Sequence, residues 1–136
     1  MGHINFKAIA IGCLVDWAGT ALFGLLFGMI AISTETMRGM PTEQAADFLL
    51  QWSSTLPGVL FSMLFGLGFT CLGGYVAARV APQETLINSA FVGSIGIVAG
   101  LPFMSHAPIA GTIAAIVLSI PAATLGGFFH IKKITF

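Results

Sequence analysis

One carboxylate stands in the middle of the first apolar run of this chain, and it has the clearest capacity for chemistry. Asp16 lies ten residues after Phe6, near the start of that run, which corresponds to about 15 Å of helix. An acidic side chain at the centre of a lipid bilayer costs about 2.5–3.5 kcal/mol on insertion scales. Asp16 is therefore a candidate site for ion or proton handling.

Hydroxyl groups at similar depth on other helices are the expected neighbours of this carboxylate. The candidate midplane polar site consists of Asp16, Thr20, Thr70, Ser94 and Ser119. The structural alternative is a hydrogen bond from Asp16 to Thr70, or to a backbone carbonyl, that merely ties two helices together.

A proline lies inside the last apolar run. Pro121 removes one backbone hydrogen bond and predicts a helix kink there. Broken helices occur at transport sites, whereas an inert kink is the alternative because proline is common in membrane helices.

The sequence offers little for enzymatic or metal chemistry. His3, His106 and His130 have no metal-ligand spacing, and we expect the last two to be solvated at helix ends. Cys13 and Cys71 fall inside apolar runs and are expected to be buried small hydrophobes. Without a nucleophile–base pair, we expect no enzyme, no cofactor and no bound metal.

The composition is that of a membrane protein. Of 136 residues, 57% are hydrophobic and only 7% charged, against about 25% charged in soluble domains. A net charge of zero argues against nucleic-acid binding. The apolar runs cover residues 5–32, 56–80, 85–104 and 108–131, each about 20 residues or longer. They predict a single all-α domain over 1–136, a four-transmembrane-helix bundle.

The first loop between runs contains a helix of its own. Over residues 42–55, Ala45, Phe48, Leu49 and Trp52 recur on one side and polar residues fill the other. We expect a short amphipathic helix in the outer interface, with Trp52 as a headgroup anchor. Alternatively this helix caps the bundle, and the two interpretations can coexist.

Basic residues predict the orientation. One predicted side carries Lys7, Arg79, Lys132 and Lys133, and the other carries only Arg38. By the positive-inside rule both termini are cytoplasmic. Arg79, Lys132 and Lys133 are expected to anchor the helix ends at anionic headgroups.

Small residues at every fourth position indicate how the helices associate. The three rows read Ala8, Gly12, Asp16, Thr20, Gly24 and Gly28; Gly58, Ser62, Gly66, Thr70, Gly74 and Ala78; and Gly111, Ala115, Ser119, Ala123 and Gly127. Small faces allow close backbone approach between helices in lipid. The predicted packing positions are Gly12, Gly24, Gly28, Gly66, Gly74, Gly111 and Gly127, against helices of the same chain or of another subunit.

The segment GGYVAAR over residues 73–79 resembles an element of small four-span bacterial membrane proteins of unassigned role, where it closes the second helix at the cytoplasmic face. The resemblance implies the bacterial inner membrane and carries over no catalytic residue.

We expect a non-enzymatic protein that acts by helix packing and assembly, as a homo-oligomer or an accessory subunit of a membrane complex. The alternative is a small transporter or channel that uses Asp16.

Overall fold

The computed structural model describes residues 4–34, 38–102 and 108–134. These residues form five helices: α1 (Phe6–Ser33), α2 (Thr42–Ser53), α3 (Leu56–Val80), α4 (Thr85–Gly100) and α5 (Ile109–Ile134). No β-strand occurs among them. The all-helical fold class is therefore confirmed for the described residues.

Local sequence signals set the helix starts. The Asn5 side chain caps α1 by accepting a hydrogen bond from the Ala8 N–H, at 3.0 Å. Thr55 caps α3 in the same way through the Gly58 N–H, and Pro57 occupies the first turn.

The third predicted span is shorter than expected. The prediction extended it to residue 104, but α4 has 16 residues and ends at Gly100. A 3₁₀ turn follows at Leu101 and Pro102, because Pro102 has no N–H with which to continue the α-helical ladder. Residues 103 and 104 lie outside the described residues.

Within the residues that the structure describes, three helices are long and apolar enough to cross a membrane. These are Phe6–Ser33, Leu56–Val80 and Ile109–Lys132, with mean hydropathy of 1.8–1.9. Only 11–22% of their most apolar windows is buried inside the protein. Large apolar side chains therefore lie mostly on the outer surface, as lipid contact requires and water disfavours. This arrangement supports a membrane protein.

Close contacts fix the direction of each helix. Gly12 of α1 lies against Gly73 of α3, while Phe27 of α1 contacts Phe61 of α3; the two helices are therefore antiparallel. Gly111 near the start of α5 lies against Val59 near the start of α3.

The helices α3 and α5 run in the same direction. Gly74 near the end of α3 lies against Ala123 of α5, whereas their starts meet at Val59 and Gly111. α4 runs antiparallel to both, since Gly93 lies against Ser119 whereas Ser89, earlier in α4, lies against Gly127, later in α5. The start of α1, the end of α3, the start of α4 and the end of α5 therefore share one end, here called the basal end; α2 lies at the other, the α2 end.

Small residues form the core in the basal half. Ala8, Ala77, Ala78, Ala123 and Val92 are fully buried. Glycines allow the helices to approach closely. Gly126 of α5 lies against the Cys71 carbonyl of α3, and Gly127 lies against the side chain of Ser89 of α4. The predicted packing positions Gly12, Gly74, Gly111 and Gly127 all face another helix of the chain.

Aromatic rings fill the half nearer α2. Phe23 of α1 stacks on Phe65 of α3 with ring centroids 3.9 Å apart. Phe27 contacts Phe61 at 5.1 Å and Trp52 of α2 at 5.3 Å. Aromatic contacts therefore join α1 to α2 and α3 in this half.

The helix α2 packs on the bundle. Ala45 is buried, and the backbone of Trp52 lies against Gly58 of α3. The indole of Trp52 lies between Phe27 and Phe61. These contacts agree with the capping alternative for this helix.

Three predicted packing positions are not used within the chain. A Cβ added at Gly24, Gly28 or Gly66 would meet no atom of the described residues within 4 Å. Residues four apart rotate by about 40° around a straight helix, so Gly24 lies about 120° from Gly12. On α3, the stacked rings of Phe23 and Phe65 hold the backbones apart beside Gly66. The rows were predicted to pack against helices of the same chain or of another subunit, and among the described residues these three glycines have no such contact.

Candidate functional site

Asp16 lies where α1, α3 and α4 meet. Its side chain is only 5% exposed. A Cβ at Gly73 of α3 would lie 3.1 Å from Asp16 Cβ, and a Cβ at Gly96 of α4 would lie 3.3 Å from Asp16 Oδ2. Glycine at both positions leaves room for the carboxyl group between the helices.

Thr70 of α3 is the hydrogen-bond partner of this carboxyl group. Its hydroxyl donates to Asp16 Oδ1 at 3.1 Å, and the same oxygen lies 3.1 Å from the carbonyl oxygen of Gly66. Thr70 is 8% exposed. The structure therefore brings together the two members of the predicted polar site that face each other across α1 and α3.

The other predicted members are placed differently. Thr20 is exposed on α1. Ser94 donates to the Ala90 carbonyl at 3.0 Å, and Ser119 donates to the Ala115 carbonyl at 2.6 Å. Both serines thus satisfy their hydroxyl groups on their own helices, and neither extends the Asp16–Thr70 pair.

Pro121 lies on an exposed side of α5, and the α-helix continues through it. Its neighbour Ile120 contributes to the contact with Gly93 of α4. The proline is therefore compatible with a closely packed helix.

An open depression of about 300 Å³ lies at the basal end. It is lined by residues 4–5 and 80–84, at the start of α1 and in the α3–α4 turn. Asp16 is not among its lining residues, so this depression does not lead directly to the buried carboxyl group.

A second polar cluster ties the basal ends of the helices together. The Asn5 N–H donates to Asn88 Oδ1 at 2.9 Å, and Asn88 Nδ2 donates to the Glu84 carbonyl at 2.8 Å. Asn88 is fully buried. Asn88 therefore fixes the start of α1 to the start of α4.

Ser89 makes the neighbouring cross-helix contact. Its hydroxyl lies 2.8 Å from the Gly74 carbonyl of α3 and 2.8 Å from the Thr85 carbonyl of α4. Gly127 of α5 packs on the same side chain. Ser89 therefore lies at the junction of three helices.

His130 differs from its expected position. It was expected to be solvated, yet it is 9% exposed, and neither ring nitrogen has a hydrogen-bond partner in the described part of the chain. Its ring meets Tyr75 edge to face, with centroids 5.6 Å apart. His130 follows Gly126 by four residues and shares its side of α5, and the structure shows that this side faces α3.

The predicted headgroup anchors lie at the basal end, apart from Trp52. Arg79 is exposed in the last turn of α3, and Lys132 is exposed near the end of α5. Lys133 is helical, but its side chain lies outside the described residues. Lys7 is also exposed at this end.

Metal-binding groups are absent from the part of the chain that the structure describes: no three His, Cys, Asp or Glu residues there could hold an ion. Cys13 and Cys71 are free thiols.

No family model, curated protein or solved structure matches this chain.

Proposed function

We propose that this chain is a non-enzymatic membrane protein with four crossings that works by helix packing and assembly. It acts as a homo-oligomer or as an accessory subunit of a larger membrane complex. The observation that carries the proposal is the open surface at Gly24 and Gly28 of α1, in a chain where other glycines lie against neighbouring helices.

Helix direction supports a fourth crossing. Since α3 and α5 are parallel and both are long enough to span, the chain must return to its starting side between Val80 and Ile109. α4 lies between them and runs antiparallel to α5. Its 16 residues cover about 24 Å, and local bilayer thinning accommodates a span of that length.

The open glycines support assembly. A Cβ added at any of four glycines would meet no atom of the described residues within 4 Å; these are Gly24, Gly28, Gly66 and Gly68. A glycine in a membrane helix loses side-chain packing with lipid but allows close approach of another helix. We propose that a second copy, or a helix of another membrane protein, packs against these glycines.

The basal end is proposed to be cytoplasmic. Lys7, Arg79 and Lys132 lie there, and Arg38 precedes α2 towards the opposite end. This asymmetry supports the positive-inside orientation with both termini inside the cell. The GGYVAAR element at the end of α3 is the basis for proposing the bacterial inner membrane and kinship with small four-span proteins.

Assembly is tested by native mass spectrometry and chemical cross-linking of the full chain in mild detergent. Gly24→Leu and Gly28→Leu each place a large side chain on the open surface. We expect both to shift the chain towards monomer while the helix content and thermal stability stay unchanged, since a Cβ at either position meets no described atom within 4 Å.

Ala18→Leu is the matched control, because Ala18 is also exposed on α1 but lies about 80–120° away around the helix. It should leave the assembly intact. An oligomer that survives both glycine substitutions, or a wild-type chain that is monomeric and isolated without any partner, contradicts the proposal.

A second candidate function is a small transporter or channel that uses Asp16. It is favoured by a buried carboxyl group hydrogen-bonded to Thr70 where three helices meet. The Asp16→Asn variant separates the two functions: lost ion flux in proteoliposomes with intact assembly indicates transport. If neither flux nor assembly changes, Asp16 has neither role.

A further inference from the structure

The depression at the basal end has an acidic lining. Its described lining comprises residues 4–5 and 80–84, and its volume is about 300 Å³. Among these residues there is one carboxylate, Glu84, and no lysine or arginine. An anionic group would be repelled by Glu84 there, whereas a group with a positive charge would be attracted to it.

The Glu84 carboxylate has no hydrogen bond or ion pair among the described residues. Its side chain makes no capping bond to the start of α4, and only its backbone is used. The Glu84 N–H donates to the Ala81 carbonyl at 3.2 Å, and the Glu84 carbonyl accepts from Asn88 Nδ2. The residue is nevertheless half-buried. A carboxylate in such a position gains from a charged hydrogen-bond donor.

Asn88 holds two sides of the depression in place. Its Oδ1 accepts from the Asn5 N–H at 2.9 Å, and its Nδ2 donates to the Glu84 carbonyl at 2.8 Å. Asn5 and Glu84 both line the depression, and Asn88 itself is fully buried. The site is therefore formed before any ligand arrives, which lowers the entropic cost of binding.

Basic and apolar residues lie next to this lining along the chain. Lys7 follows Ile4 by three residues, and Arg79 directly precedes Val80; both cations are exposed. Ile4 and Val80 are themselves 43% and 38% exposed. An acidic lining, neighbouring cations and exposed apolar side chains match the ammonium, the phosphate and the hydrocarbon of a zwitterionic phospholipid.

We propose that the basal depression binds the headgroup of a phospholipid with a primary ammonium, the chemistry of phosphatidylethanolamine. The ammonium donates hydrogen bonds to the Glu84 carboxylate, and Lys7 and Arg79 bind the phosphate. A trimethylammonium headgroup has the same charge but no N–H to donate, and a phosphoglycerol headgroup has no positive charge. The inference rests on the proposed membrane placement, with the basal end at headgroup depth.

Lipid titration of the delipidated full chain, followed by native mass spectrometry in mild detergent, tests the site. Three lipids with identical acyl chains are compared, with ethanolamine, choline or glycerol headgroups. We expect the ethanolamine lipid to bind about three- to tenfold more tightly than either of the others, as for a charge-assisted hydrogen bond partly exposed to water. Glu84→Gln should abolish this preference. Glu43→Gln, at the α2 end, is the matched control and should keep it.

A second variant tests the phosphate contact. Arg79→Gln should weaken the ethanolamine and choline lipids by the same factor, because both carry the phosphate. Glu84→Gln removes no side-chain hydrogen bond among the described residues, so its helix content and thermal stability should match wild type.

Equal binding of the ethanolamine and choline lipids by wild type, or a preference that persists in Glu84→Gln, overturns the proposal. Displacement of the ethanolamine lipid by free phosphoethanolamine at equal concentration also overturns it, because the ligand would then be a soluble amine. The same spectra give the oligomeric state. Gly24→Leu should lose the assembly and keep the ethanolamine preference, so failure of this site and failure of the assembly proposal are seen separately.

Discussion

Gly12 of α1 and Gly73 of α3 face each other so closely that neither position has room for a methyl group. A Cβ at Gly12 would lie 2.7 Å from the Gly73 carbonyl oxygen, and a Cβ at Gly73 would lie 2.6 Å from the Gly12 carbonyl oxygen. This reciprocal contact lies one turn from Asp16. It therefore sets the distance across which Asp16 reaches Thr70.

Gly12→Val is expected to separate α1 from α3. The added side chain meets backbone, which moves far less easily than a side chain, and overpacking of this kind costs about 1–3 kcal/mol of unfolding free energy. The Asp16–Thr70 distance should increase as well. Reversible unfolding in mixed detergent micelles, followed by circular dichroism, measures the effect.

Gly24→Val is the matched control on the same helix. Its added side chain meets open space, so the unfolding free energy of the monomer should stay within about 0.5 kcal/mol of wild type. Equal losses from the two variants would contradict the close contact at Gly12 and Gly73.

The sequence was sufficient to predict the helices and part of the site. Apolar run length predicted α1, α3 and α5. Depth grouped Asp16 with Thr70, Ser94 and Ser119, and the structure brings only Thr70 of these to the carboxyl group. The extent of the packing rows was not predictable in this way. A row of every fourth residue rotates away from its partner, and whether Phe23 or Gly24 faces α3 depends on that rotation.

Two further features needed the three-dimensional structure. α4 ends early because Pro102 interrupts its ladder, whereas hydropathy alone continued to residue 104. His130 was assigned to solvent from its position near a span end. Its burial depends on Gly126 and Gly127, which bring α5 close to α3 and α4 one turn earlier.

The stacked pair Phe23 and Phe65 should be coupled energetically. Their rings lie 3.9 Å apart between centroids, and aromatic pairs contribute about 0.5–1.5 kcal/mol beyond the area they bury. A double-mutant cycle with Phe23→Leu and Phe65→Leu, measured by unfolding free energy, should return a coupling in this range. Phe23→Leu combined with Phe128→Leu, at an exposed position on α5, should be additive within error. A coupling near zero for the stacked pair would rule out the aromatic contact.

The fourth crossing predicts which loops share a side of the membrane. Single cysteines at Gln83 in the α3–α4 turn and at Glu43 in α2, in a chain with Cys13 and Cys71 replaced by alanine, should react from opposite sides with a membrane-impermeant maleimide. Gln83 should match a cysteine placed at Ile4, since both line the basal depression. Labelling of Gln83 and Glu43 from the same side would mean that α3 does not cross. If α4 does not cross, a cysteine at Ile109 should label from the Gln83 side.

Replacing the imidazole nitrogens of His130 should not lower the unfolding free energy of the protein. Both ring nitrogens are buried without a hydrogen-bond partner among the described residues. A buried polar group without such a partner lowers the unfolding free energy by about 1–3 kcal/mol. His130→Phe keeps a ring against the edge of Tyr75 and removes both nitrogens, so we expect an unfolding free energy equal to wild type or higher by up to about that amount. His130→Ala removes the ring contact as well and should be destabilising, because it leaves a space between α3 and α5. If His130→Phe is as unstable as His130→Ala, the imidazole has a partner that its nitrogens require.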